Sequence, residues 1–308
     1  MTTFIRSALL AVLFITLPLS ASQPLRIGDQ KQQLKTILTA SGALQGIPYP
    51  IAFFEFPAAA PLGEALNAGA LDVGLIGDAP FVFAAAAGRG IKAIIASQTT
   101  GIYGNAILVG KNSPIQTVAD LKGKKLVTTR GSIGHYLTLV ALEQAGLTPN
   151  DVELIFLLPG DARPLLDSGR ADAWVVWGPY IAIAIADEHA RILASSDDYY
   201  LSAGFIAATE KAIDNKAAQL QDFVERADKA RQWALDNPEA FSAAISKVTG
   251  LPYELHLALE RNTTVVQVPI DDKVIAELQQ IADVYYRHKL LRRKLDVRNS
   301  FDTRFNPE

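Results

Sequence analysis

The chain has 308 residues, 49% of them hydrophobic, and 29 basic against 32 acidic side chains give a net charge of −3. That mild acidity argues against a nucleic-acid surface, which needs clustered positive charge. The absence of cysteine excludes disulfides, thiolate metal sites, a cysteine nucleophile and lipid anchoring through cysteine.

The first segment runs from Arg6 through the apolar stretch Ala8–Leu17 to Ser20, Ala21 and Ser22, which is the layout of a secretory leader. Its apolar core is about ten residues, half of the roughly 20 that a membrane span needs. Residues 1–22 are therefore expected to be a signal peptide, cleaved near Ala21 or Ser22. Without a lipid anchor, only an outer membrane would retain the exported chain, which places it in a periplasm. Removing Arg6 with the leader leaves 28 basic against 32 acidic residues, a net charge of −4. The remaining roughly 285 residues exceed what one compact core usually holds, so two lobes are expected.

Along the mature chain, Arg26-Ile27-Gly28 reads as a short buried strand leading into a loop and a helix, and Ile51–Phe56 as a second strand. A helix then closes at Leu66-Asn67-Ala68-Gly69, and a buried strand Val73–Ile76 gives way at Gly77-Asp78-Ala79-Pro80 to a helix over Phe81–Ala87. The same series recurs one hundred residues later. Leu126-Val127-Thr128 matches the first strand, Val152–Leu158 the second, and Leu166-Asp167-Ser168-Gly169-Arg170-Ala171-Asp172 with Ala173–Val176 repeats the helix end, glycine turn and strand. Three ordered matches point to two α/β lobes of one topology, each a mainly parallel sheet flanked by helices. Asn105–Gly110 and Gly204–Thr209 read as the crossings between lobes, so the lobes are expected at 23–108 with 205–308, and at 109–204. Beyond the second crossing the pattern is purely helical, with Leu220, Phe223, Val224 and Ala227, then Val274, Leu278, Ile281 and Tyr285, at helical spacing. These helices are expected to wrap back over the first lobe.

Ligands of parallel sheets sit beyond the carboxyl ends of the strands. Three segments stand there: Gly77–Pro80, Arg130-Gly131-Ser132-Ile133-Gly134-His135-Tyr136, and Trp177-Gly178-Pro179-Tyr180. Ser132 is a good N-cap. Two helix starts, one from each lobe, would hold an anion through N–H groups and dipole without Lys or Arg, while Trp177 and Tyr180 would cover an apolar tail. Each segment also reads as a plain turn or cap: Trp174 fits the core, His135 a helix-face hydrogen bonder, and Lys289–Lys294 a solvated helix end. None of the nucleophile-elbow, zinc-helix, phosphate-loop or dinucleotide motifs occurs in the sequence, so no catalytic residue, metal or cofactor is expected.

Taken together, Arg26–Lys31, Phe56-Pro57, Glu64–Asp72, Gly77–Pro80, Ala106–Val109, Val118–Lys125, Gly131-Ser132 with His135-Tyr136-Leu137, Asp172-Ala173-Trp174 with Trp177 and Pro179-Tyr180, and Asp296-Val297-Arg298 resemble the aliphatic sulfonate-binding proteins of ABC importers. Taurine- and nitrate-binding proteins are relatives of that family. The resemblance spans nearly the whole mature chain. It implies the two-lobed type II periplasmic binding fold, closing by a hinge on a sulfonate held by Gln30, Gly77, Asp78, Ala79, Gly131, Ser132 and His135 with aromatic cover from Trp177 and Tyr180. It also implies a monomer that passes a small organic anion to an inner-membrane permease and ATPase. Asp29 stands where an aromatic is usual, Phe81 where a second proline is common, and Gly178 where an aspartate is frequent. The missing aspartate argues against an amine-bearing ligand such as taurine unless Asp29 compensates. A taurine, nitrate, bicarbonate or pyrimidine-precursor carrier, or an enzyme on the same fold, are the alternatives.

Overall fold

The computed structural model describes residues 23–306 except residue 89, so the expected leader lies outside the described residues. The chain opens with β1 (Leu25–Gln30), α1 (Gln33–Ala40), β2 (Ile51–Phe56), α2 (Ala59–Asn67), β3 (Val73–Gly77), α3 (Asp78–Ala86) and β4 (Ile91–Thr100). It then passes through β5 (Asn105–Gly110), β6 (Lys125–Thr128), α4 (Ile133–Gln144), β7 (Glu153–Phe156), α5 (Pro159–Asp167), β8 (Ala173–Trp177), α6 (Pro179–Ala186) and β9 (Ala190–Ser195). It returns with β10 (Ser202–Thr209), α7 (Glu210–Asn215), α8 (Ala217–Asp236), α9 (Pro238–Thr249), α10 (Tyr253–Asn262), β11 (Thr264–Val268) and α11 (Asp272–Arg287).

Two mixed sheets result, in the orders β11-β4-β10-β3-β1-β2 and β7-β6-β8-β5-β9. In the first, β1 runs parallel to β2 and β3; in the second, β6 runs parallel to β7 and β8. The hundred-residue repeat thus becomes two three-stranded parallel halves. One side chain shows the equivalence in atomic detail. The Asp72 carboxylate accepts the backbone N–H of Arg26 at 2.8 Å, and Asp172 accepts that of Lys125 at 2.8 Å. Each aspartate clips the start of the middle strand of its parallel half to the turn that follows the glycine.

The crossings lie elsewhere than expected. All of β5 pairs with β8 and β9, so Asn105–Gly110 is a strand of the second sheet and the lobe boundary does not fall at 108. All of β10 lies between β3 and β4 in the first sheet. The links between sheets are residues 101–104 and 196–201, and they are bonded to each other: Gly101 N–H donates to the Asp197 carboxylate at 2.8 Å. A continuous apolar run such as Ala106–Val109 has no sequence mark saying which sheet it joins; only its partners decide. Nor is the late region purely helical, since β11 pairs with β4 at the sheet edge.

The late helices bridge both lobes rather than covering the first alone. On the first lobe, α8 packs Leu220, Phe223 and Val224 into a core with Leu34, Ile37 and Leu38 of α1. On the second, α10 packs Leu255 and Leu259 against Ala182 of α6. Between them α11 meets both α3 and α4, with Tyr285 fully buried. Among the described residues no helix is long and apolar enough to cross a membrane.

Candidate functional site

The carboxyl ends of β1, β3, β6 and β8 meet where the lobes face each other. Gly77 is the N-cap of α3, and Ser132 is the N-cap of α4. The two helix starts approach closely: a Cβ built on Gly131, whose φ is +71°, would lie 3.1 Å from the Phe83 ring of α3. Both the backbone angle and the space therefore call for glycine.

The donors at these helix starts are largely spent inside the protein. Gly131 N–H donates to His135 Nδ1 at 3.1 Å, and Ser132 N–H donates to the Thr129 carbonyl at 3.2 Å. Ser132 Oγ donates to the same carbonyl at 2.7 Å and accepts His135 N–H at 3.2 Å. Tyr285 of α11 donates its hydroxyl to the Ser132 carbonyl at 3.0 Å, pinning the second lobe's helix start to the first. The N–H groups of Ile133 and Gly134 have no partner among the described residues. The unpartnered donors at the start of α4 thus lie one or two positions beyond Gly131 and Ser132, because the N-cap geometry uses its own N–H and hydroxyl.

At α3 the helix start is self-capped. Asp78 is buried, and its carboxylate accepts Ala79 N–H at 2.6 Å and Ala203 N–H at 2.9 Å. Burial outweighs those two bonds and pushes its carboxyl up to about 7. Ala79 belongs to the core with Phe81, so its contribution is backbone alone. Gln30 is half-buried and its amide donates to the Leu75 carbonyl at 3.0 Å. Asp29, the acid set against the aspartate missing at Gly178, is already engaged by backbone. Its buried carboxylate accepts the N–H groups of Gln30, Leu34 and Lys35 at 2.7, 3.0 and 2.9 Å, and so caps α1.

His135 is a hydrogen-bond acceptor at Nδ1, and burial, with Arg130 and His288 nearby, lowers its pKa to about 4, so it is neutral near pH 7. Its ring stands edge-on to Phe156, 4.9 Å between centroids. On the other wall, Trp177 ends β8 and stands edge-on to Tyr180 at 6.3 Å, while Trp174 is buried behind them.

Two cations enter the site that the sequence reading left out. Lys31 Nζ bonds to the Tyr180 hydroxyl across the gap and lies 4.3 Å from that ring's centroid. The Arg130 guanidinium lies 4.0 Å from the centroid of Phe156. Lys31 follows β1 directly and Arg130 stands two residues past the end of β6, and that place beyond a strand's carboxyl end is the signal that would have found them. Among the described residues, no cluster of His, Cys, Asp or Glu is arranged to hold a metal.

Two α/β lobes on a double crossover, with paired helix starts facing the gap, define a solute-binding protein of the periplasmic-binding fold. The NMT1/THI5-like family model matches residues 57–241. A putative aliphatic sulfonates-binding protein of Escherichia coli is 35% identical over 283 residues, 91% of this chain and 88% of that one. The crystal structure of the periplasmic aliphatic sulphonate binding protein SsuA from Escherichia coli superposes with a TM-score of 0.84 at 34% identity, covering 93% of this chain and 94% of that one. The alkanesulfonate-binding protein SsuA from Xanthomonas axonopodis pv. citri, bound to MOPS, gives 0.85 at 30% identity over 92% and 99% of the two chains. The chain belongs to the aliphatic sulfonate-binding protein family, within the NMT1/THI5-like group.

Proposed function

We propose that this protein captures an alkanesulfonate between its lobes and delivers it to the permease and ATPase of an ABC importer, acting as a monomer in the periplasm. The observation that carries the reading is the facing pair of helix starts, with unpartnered N–H groups at Ile133 and Gly134 and the cations Lys31 and Arg130 at adjoining strand ends. Helix-start N–H groups and nearby cations suit an ionised head group. The likeness to proteins described as aliphatic sulfonate binding, one of them bound to MOPS, supports a sulfonate as that head. Binding without turnover fits the site's ionisable groups: the carboxylates of Asp29 and Asp78 and the Nδ1 of His135 are engaged by backbone N–H groups.

Protein prepared without sulfonate buffers should bind one equivalent of a short alkanesulfonate calorimetrically, and the ligand recovered afterwards should be unchanged by NMR. Binding of nitrate but no sulfonate, or product from the sulfonate, contradicts this. The segment Met1–Ser22 supports export, so protein from the periplasm should begin near Ser22 or Gln23 by N-terminal sequencing; a cytoplasmic chain still starting at Met1 contradicts that placement.

A further inference from the structure

Lys31 and Gln32, directly after β1, both lie in the left-handed region at φ 51° and 55°. Two successive non-glycine residues there are uncommon. This turn carries the Lys31 side chain from the first lobe to Tyr180 of the second, whose ring stands edge-on to Trp177. The ammonium therefore sits on the aromatic wall, where an apolar tail was expected to rest. Lys31 has no carboxylate partner among the described residues. The nearest acid in sequence, Asp29, is committed to three backbone N–H groups, and Asp78 at the end of β3 to two.

Lys31 is exposed, so water still serves its ammonium; a ligand that covers it displaces that water, and the loss is offset only by a partner of opposite charge or by several acceptors. The Tyr180 hydroxyl supplies one acceptor for three donors. A plain hydrocarbon tail supplies none, and an ammonium tail would meet a like charge. We propose that this site prefers sulfonates that carry a carboxylate at the far end of a short chain, and that Lys31 is the residue that reads the carboxylate. This inference rests on the sulfonate reading above.

The test compares 3-sulfopropionate with propane-1-sulfonate, which match in length and differ at the far end. Wild-type protein should bind the sulfocarboxylate at least about tenfold more tightly, the size expected of one charge-assisted hydrogen bond. Lys31→Met should bring the ratio of the two affinities to within about threefold, and Lys31→Arg should keep most of the preference. Equal affinities in the wild type, or a preference that survives Lys31→Met, overturn the inference while leaving the sulfonate reading in place. Binding of neither ligand removes the sulfonate reading and this inference with it.

Discussion

Asp78 begins a helix at the cleft yet is buried, and its carboxyl is pushed up to about 7 from 3.8. The folded protein therefore holds a proton between these values that the unfolded chain releases. Stability from this group falls as pH rises from about 4 through about 7. An anion bound across the gap, at the start of α4, should raise the Asp78 pKa further. Binding at pH 7.5 should then take up a fraction of a proton, seen as a binding enthalpy that depends on the ionisation heat of the buffer. Asp78→Asn should abolish that dependence; if it persists unchanged, the coupled proton belongs to another group.

Asp72 behaves in the opposite sense. Although burial alone would raise its pKa, bonds from the Arg26 guanidinium and Lys216 hold its carboxyl below the usual range. Its contribution is complete above the unfolded carboxylate pKa and fades as pH falls through the lower folded one. Asp72→Asn should cost about 2 to 3 kcal/mol in denaturant unfolding at neutral pH, because charged donors lose their partner. The twin Asp172 has hydrogen bonds only from Lys125 N–H among the described residues, so Asp172→Asn should cost about 1 kcal/mol. Equal costs would mean that the strand clip, and not the added cations, carries the stability.

Among the elements, the crossings are the most constrained. Gly101 lies at φ +112°, and a Cβ there would stand 2.1 Å from the Asn262 carbonyl oxygen. The clash is with backbone, so Gly101→Ala should destabilise by at least about 2 kcal/mol and loosen both crossings, since Gly101 N–H also holds Asp197. Protease cleavage near residues 101–104 in the variant but not in the wild type would show this; unchanged melting would remove Gly101 from the hinge. The parallel halves were legible in the sequence because a repeated strand, helix end, glycine and aspartate leave a fixed spacing. The position of β5 and the existence of β11 were not, since strand partners come from tertiary pairing. At the site, the helix starts were legible from Gly131, Ser132 and Pro80. The use of their donors was not: whether Gly131 N–H faces a ligand or His135 depends on a side-chain rotamer four residues away. Lys31 and Arg130 were passed over because a helix start alone satisfies an anion on paper.

At the scale of the molecule, the late helices make opening a three-way movement, because α10 rests on α6 and α11 on α4 while both are joined to the first lobe. Glu143 of α4 accepts Arg287 at 2.9 Å and pairs with His288 at 2.8 Å. Breaking this exposed latch with Glu143→Gln should shift the apo protein toward the open form, read as a larger radius of gyration in solution scattering, with little loss of folding stability. A saturating sulfonate should restore the compact value and raise the melting temperature, by the equivalent of about 2.7 kcal/mol at a hundredfold excess over Kd. If ligand leaves both unchanged, closure is not coupled to binding.

The most direct measurement is a crystal structure with 2-bromoethanesulfonate, located by the anomalous scattering of its bromine. The sulfonate is expected at the start of α4, against the N–H groups of Ile133 and Gly134, with the bromine toward Trp177 and Tyr180. A bromine site on the outer surface, with the space between the lobes filled by solvent alone, would contradict the account.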